Sequence, residues 1–208
     1  MALTPLFQAL PQILATIQSS PDTETLTLAD ASGRYAAETV RSSMAVPPAD
    51  NSAMDGYAVR AQDVPGDLLV SQRIPAGEAP GSLAPGTAAR IFTGAEIPAG
   101  ADAVILQEDA EPLSEGVRLP AARESQHIRR RGGDIQAGDK LIATGRCLQP
   151  QDIGLLASVG IDAIEVYRPL RVAILTTGDE LREPGSGGLE PGEIFNSNRF
   201  SLAAQVRA

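Results

Sequence analysis

The chain has 208 residues, 43% apolar and 21% charged, with 26 acidic side chains against 17 basic ones and a formal net charge of −9. That composition is ordinary for a folded globular protein with room for a core, and the negative charge argues against non-specific nucleic-acid binding. A single cysteine, Cys147, excludes an intramolecular disulfide and a cysteine-based zinc site within one chain, and a single histidine, His127, means that any Ser-His-Asp triad would have to use it.

The N-terminus "MALTPLFQALPQILATIQ" has neither a basic start nor a long apolar centre, so it does not read as a secretory signal. No apolar run approaches the ~18 residues of a membrane span. The expectation is a cytoplasmic protein with no membrane contact. Over residues 4–18, Leu6, Leu10, Ile13, Leu14 and Ile17 mark one face of a helix that Thr4-Pro5 would start, with Pro11 awkward inside it. "TETLTLADASGRYAAE" reads as a short strand followed by a helical turn around Ala29–Ala37.

From residue 46 to 135 the texture changes. Short apolar pieces ("DGYAVR", "AARIFTG", "DAVILQED", "GVRLP") alternate with turns such as "IPAGEAPG", "LAPGT" and "IPAGAD", which predicts a small β-barrel or sandwich. Over 136–168, "LQPQDIGLLASVG" predicts a helix from Pro150 to Gly160, and "DAIEVY" a strand. From Pro169 the run Val172–Leu175 is apolar without alternation, as in a strand buried on both faces of a parallel sheet. A glycine-rich loop follows, then a helix capped by Asn196, Ser197 or Asn198. One such strand and one helix cannot make a sheet. The last ~40 residues are therefore expected to open a further α/β domain; the alternative is a β–α extension packed on the rest.

Four stretches carry possible chemistry. In "VPPADNSAMDGYAV", Asp50, Asn51 and Ser52 can cap local amides and Asp55-Gly56 can form a turn; alternatively, Asp55 holds a cation or ligand hydroxyl where Gly56 lets backbone approach. Thr93-Gly94, in "ARIFTGAEIPAGADAVILQED", suits an anion contact or plain turn chemistry. In "HIRRRGGD", a strand would aim Arg129 and Arg131 to one side and Arg130 to the other, ready for phosphate or for surface ion pairs. "TTGDEL" stands where open α/β sheets bind ligands, and Asp179 and Glu180 are oxygen donors suited to magnesium. The loop is neither GxxxxGK[ST] nor GxGxxG.

Taken in order, "DNSAMDGYAV", "IFTGAEIPAGADAVILQED", "IRRRGGDIQAGDKL", "LLASVGI" and "VAILTTGDEL" resemble the molybdopterin molybdenumtransferases, the molybdenum-insertion enzymes whose eukaryotic relatives include the gephyrin C-terminal region. The resemblance implies an α+β multidomain chain. Residues 1–45 and 136–168 would form a helical and linker domain, 46–135 an inserted small β-barrel-like domain, and 169–208 the first strand and helix of a truncated α/β pterin-binding domain. It implies a homodimer with its site shared between subunits. The reaction would take adenylylated molybdopterin and molybdate, release AMP, and use Mg2+. It carries Asp55 and Glu180 over as catalytic and metal-holding carboxylates, and Thr93, Arg129 and Asp134 as substrate-binding residues. A non-catalytic scaffold of the same fold is the competing expectation.

Overall fold

The computed structural model describes residues 4–16 and 22–207. They fall into two compact units, residues 23–167 and residues 1–22 with 168–208. In chain order the elements are α1 (Leu6–Ala15), β1 (Thr23–Thr27), β2 (Val40–Arg41), β3 (Asn51–Ser52), β4 (Gly56–Val59), β5 (Gly66–Ile74), β6 (Thr87–Ile91), β7 (Ala103–Leu106), β8 (Glu111–Leu113), β9 (Gly116–Leu119), β10 (Ile128–Arg129), β11 (Lys140–Ile142), α2 (Pro150–Ser158), β12 (Ala163–Tyr167), β13 (Leu181–Arg182), β14 (Ile194–Phe195) and α3 (Ser197–Arg207). Among the described residues no helix is long and apolar enough to cross a membrane.

In the larger unit, three antiparallel two-stranded ladders join its two ends: β1 with β12, β2 with β11, and β3 with β10. The alternation of β12 turns Ile164 and Val166 inward. There they pack with Ala31, Ala36, Ile142, Leu148 and Leu156, the last brought by α2. Helix α2 forms where its sequence predicts. Pro150 needs no donor at the first helical position, and the Gln149 N–H donates to Asp152 Oδ2 at 2.9 Å. Gly160, with φ +78°, ends the helix, and the Ile161 N–H reaches back to the Leu156 carbonyl at 3.2 Å. Residues 29–37 contain no helical turn of the expected kind. They make tight turns, with the Asp30 N–H on Thr27 O and the Arg34 N–H on Ala31 O, and then bridge Tyr35 to Cys147 and Ala36 to Val166. Cross-strand partners from distant sequence override the local helical tendency.

Between the halves of those ladders lies a six-stranded sheet in the order β7-β4-β6-β5-β9-β8. Only β5 and β6 run parallel; the other neighbours are antiparallel. Its outer strands, β7 and β8, do not pair, so the sheet is open and not a closed barrel. Both faces carry a core. Val59, Leu68, Ala88, Ile105, Val117 and Leu119 cluster on one, and Ala58, Ile74, Ala89, Ile91 and Val104 on the other. Small residues dominate the central positions because strands covered on both faces leave little room.

Gly56 is the tightest point: a Cβ there would lie 1.9 Å from the Ile105 carbonyl oxygen. That oxygen belongs to a neighbouring strand and cannot swing away as a side chain would. Gly56→Ala is expected to destabilise the protein by about 3 kcal/mol, read as a lowered urea midpoint.

Asp152 is 4% exposed and receives Arg146 Nε at 3.0 Å and Nη2 at 2.9 Å. The Arg146 guanidinium holds its carboxyl below the ordinary range, with the Gln149 amide adding to this and burial opposing it. Its stabilisation is complete above that ordinary range and is lost as pH falls through the lowered folded value. Asp152→Asn is therefore expected to flatten the acid limb of a stability-versus-pH curve and to lower stability at neutral pH.

In the smaller unit, α1 follows Pro5 as expected and accommodates Pro11. Leu6, Leu10, Ile13 and Leu14 are all exposed; Ile17 lies outside the described residues. The strand expected at Val172–Leu175 does not form: the run joins no ladder, and Val172 and Leu175 are exposed. An apolar strand of that kind needs neighbours on both sides, and none is present among the described residues. The parallel pair is instead β13 with β14, two residues each. Helix α3 starts with the Arg199 N–H on Asn196 Oδ1 at 3.3 Å, choosing Asn196 among the three expected caps.

Candidate functional site

Asp55 sits in the bend that feeds β4, and its surroundings follow from the ladders. Ser52 pairs with Ile128 across β3 and β10, and its backbone N–H and carbonyl bond Ala95 O and Gly94 N. The loop after β6 is thus held against the loop before β4. Thr93 arrives beside Asp55 and donates to Oδ1 twice, from its backbone N–H at 2.8 Å and from Oγ1 at 2.6 Å. The bonds from Thr93, side chain first and then backbone, hold the Asp55 carboxyl below its usual range, with the charge of Arg90 adding to them. Asp55 is an ionised carboxylate with one oxygen occupied. Its Oδ2 takes no hydrogen bond among the described residues.

Of the small polar residues before it, Ser52 caps locally, accepting from the Met54 N–H at 3.3 Å while donating to Met54 O. Asp50 reaches farther, accepting the Arg131 N–H at 2.8 Å and a bond from Arg130. Asn51 Oδ1 is buried without a donor among the described residues.

The arginine run does not alternate along a strand. Strand β10 ends at Arg129, and residues 131–134 form a turn. Arg129 pairs with Asp134 at 2.5 Å, and Arg130 with Asp50. The structure thus brings Asp55 to Thr93 and Arg129 to Asp134, each as a pair. Two of the three expected cations already meet carboxylates of their own chain.

Arg90 was not visible from the sequence. Its Nη1 donates to the Gly56 carbonyl at 2.8 Å and the Ile91 carbonyl at 3.1 Å, and its Nη2 to Gln107 Oε1. Its guanidinium lies 4.6 Å from the Phe92 ring centre and 5.3 Å from that of Tyr57. It ties the residue after Asp55 to the strand that delivers Thr93. Its place is set by the cross-strand register Tyr57↔Arg90↔Arg73, which a single sequence does not reveal.

Glu180 belongs to the other unit. It is exposed and lines a hollow of about 370 Å³ with Thr176, Thr177 and Asn196. Asn196 is 5% exposed and donates from Nδ2 to Thr176 Oγ1 at 2.9 Å and Glu183 Oε1 at 3.1 Å. Among the described residues no three His, Cys, Asp or Glu side chains stand close enough to hold a metal ion together. Magnesium takes few protein carboxylates and keeps its waters, so the ionised Asp55, with Oδ2 open, fits it as a single ligand.

Thr93→Val removes one of the two bonds on Oδ1 while leaving the backbone one. The Asp55 carboxyl is expected to titrate closer to the ordinary carboxylate range, read from its side-chain carbon resonance against pH.

Comparison with known proteins identifies the family. Residues 4–160 match the family model described as the MoeA N-terminal region (domain I and II). The chain is 42% identical over 200 residues to a molybdopterin molybdenumtransferase of Nostoc sp., covering 92% of this chain and 46% of that one. It is 42% identical over 202 residues to one of Haemophilus influenzae, covering 94% and 49%. It superposes on the crystal structure of the molybdopterin biosynthesis moeA protein of Pyrococcus horikoshii OT3 with a TM-score of 0.90 at 34% identity, covering 99% of this chain and 57% of that one. The chain spans about half the length of the curated relatives it matches. With a family model matching residues 4–160 and relatives 42% identical over most of its length, the chain belongs to the MoeA N-terminal family.

Proposed function

We propose that this chain is part of a molybdopterin molybdenumtransferase, acting in molybdenum cofactor biosynthesis by inserting molybdenum from molybdate into adenylylated molybdopterin with release of AMP. The observation that carries the reading is the Asp55–Thr93 pair: a carboxylate kept ionised, with one oxygen open, in a chain of this family. Residues 1–45 and 136–168 make up a helical and linker domain, 46–135 are the β domain inserted in it, and 169–208 belong to the pterin-binding α/β domain. The working protein is a cytoplasmic homodimer whose site takes residues from both subunits.

In this reading Asp55 is the carboxylate of the reacting centre and Thr93 orients it, leaving Oδ2 for the ligand side. Asp55 would be a ligand of Mg2+ through its open Oδ2, and Glu180 is the second carboxylate offered for the metal; the ion would supply positive charge against phosphate and oxyanion. Arg129 and Asp134 contact substrate by way of their mutual ion pair. Arg90 orients Asp55 through the adjacent carbonyl.

The test uses a protein of the relatives' full length carrying this sequence. AMP release from adenylylated molybdopterin, with molybdate and magnesium present, is measured for the parent and for Asp55→Asn and Glu180→Gln. Each variant is expected to lose on the order of 10²-fold in rate. Parent-level release in both would sink the catalytic assignment and favour a non-catalytic scaffold.

A further inference from the structure

We propose that Arg73 is an anion-binding residue beside the Asp55–Thr93 pair, taking a phosphate or another tetrahedral oxyanion of the ligand. This rests on the reading of Asp55 as part of a substrate site.

The argument begins with how each nearby cation is already engaged. Arg129 is neutralised by Asp134 and Arg130 by Asp50. Arg90 satisfies its donors on two carbonyls and an amide, so its charge holds backbone in place. Arg73 differs from all of these. It is exposed, and among the described residues it makes no hydrogen bond and no ion pair. Yet it does not hang loose, because its guanidinium lies 4.5 Å from the centre of the Phe92 ring. A stacked guanidinium keeps its N–H edges free for a planar or tetrahedral anion while its rotamer freedom is already reduced.

Position supplies the second half. Arg73 on β5 is the register partner of Arg90 on β6, which is the partner of Tyr57 on β4. All three therefore share one face of the sheet. Phe92 continues β6 on that face, its N–H bonding Ile74 O at 3.3 Å. The next residue is Thr93, which holds Asp55. A guanidinium stacked on Phe92 with its donors open, and a carboxylate held through Oδ1 by Thr93 with its Oδ2 open, make an ordered pair of opposite charges. Such a pair suits a ligand bearing both an oxyanion and a cation or hydroxyl donor. Arg131 is also exposed with no side-chain partner among the described residues, but no ring orders it, which makes it the natural control.

The experiment uses the 208-residue chain with inorganic phosphate, molybdate and AMP as separate probes, followed by arginine Nε–Hε resonances and by calorimetry. Saturable shifts are expected at Arg73, with affinity falling about tenfold or more in Arg73→Gln, partly retained in Arg73→Lys and unchanged in Arg131→Gln. Preference for AMP identifies the nucleotide phosphate as the ligand group; preference for molybdate identifies the free oxyanion. No shift at Arg73, or equal affinity in Arg73→Gln, overturns the proposal even if Asp55→Asn abolishes AMP release in the full-length protein. Binding at Arg73 in a full-length protein that releases no AMP leaves the anion site standing and overturns the reaction.

Discussion

The backbone of Gly56 passes so close to the carbonyl of Ile105 that a side chain has no place between them, and much else is arranged around that contact. It lets β4 lie deep between β6 and β7, with all four residues paired to β7 and three of them to β6. Asp55 is the residue immediately before that constriction, so its backbone direction is fixed by packing and not by a flexible loop. Thr93 leaves β6 at the same end of the sheet, and the two meet. A carboxylate on a rigid strand mouth needs no reorganisation to keep its orientation, which is the condition for electrostatic work at a site.

Charge is distributed with similar economy. The protein is strongly acidic as a whole, yet the face beside Asp55 gathers Arg73 and Arg90 around Phe92 and Tyr57. Rings there pack against the guanidinium groups, where carboxylates would have cancelled their charge. The arginine run of the "HIRRRGGD" turn does the opposite task. Its partners Asp50 and Asp134 make it a brace between β3, β10 and the following turn.

What the sequence discloses follows the range of the forces involved. Helix α2 was readable because proline, glycine and apolar spacing all act within one or two turns. Strands β4, β6, β7 and β9 were readable for the same reason, since turn residues punctuate them, whereas β5, the longest, was not singled out. Asp55, Thr93, Arg129 and Asp134 were singled out through motif resemblance, and the structure adds their local pairing. Arg90 and Arg73 escaped notice because their meaning lies in register between β4, β6 and β5, two of which are joined by a parallel pairing that no local pattern announces. The Val172–Leu175 run misled in the other direction. Its composition speaks of a buried strand, but burial is conferred by neighbours, and the described chain supplies none.

The ladder between β3 and β10 has one more consequence. It sets Ser52 beside Ile128, so the whole six-stranded sheet leaves and rejoins its surroundings at a single point. Such a segment behaves as a cassette. Loop-closure entropy rises only by about 0.6 kcal/mol for each doubling of length, so the flanking ladders are nearly indifferent to how many residues hang between them. Growth, shrinkage or exchange of that module is open to evolution and to engineering alike, provided the two strands that clasp its stem are left intact.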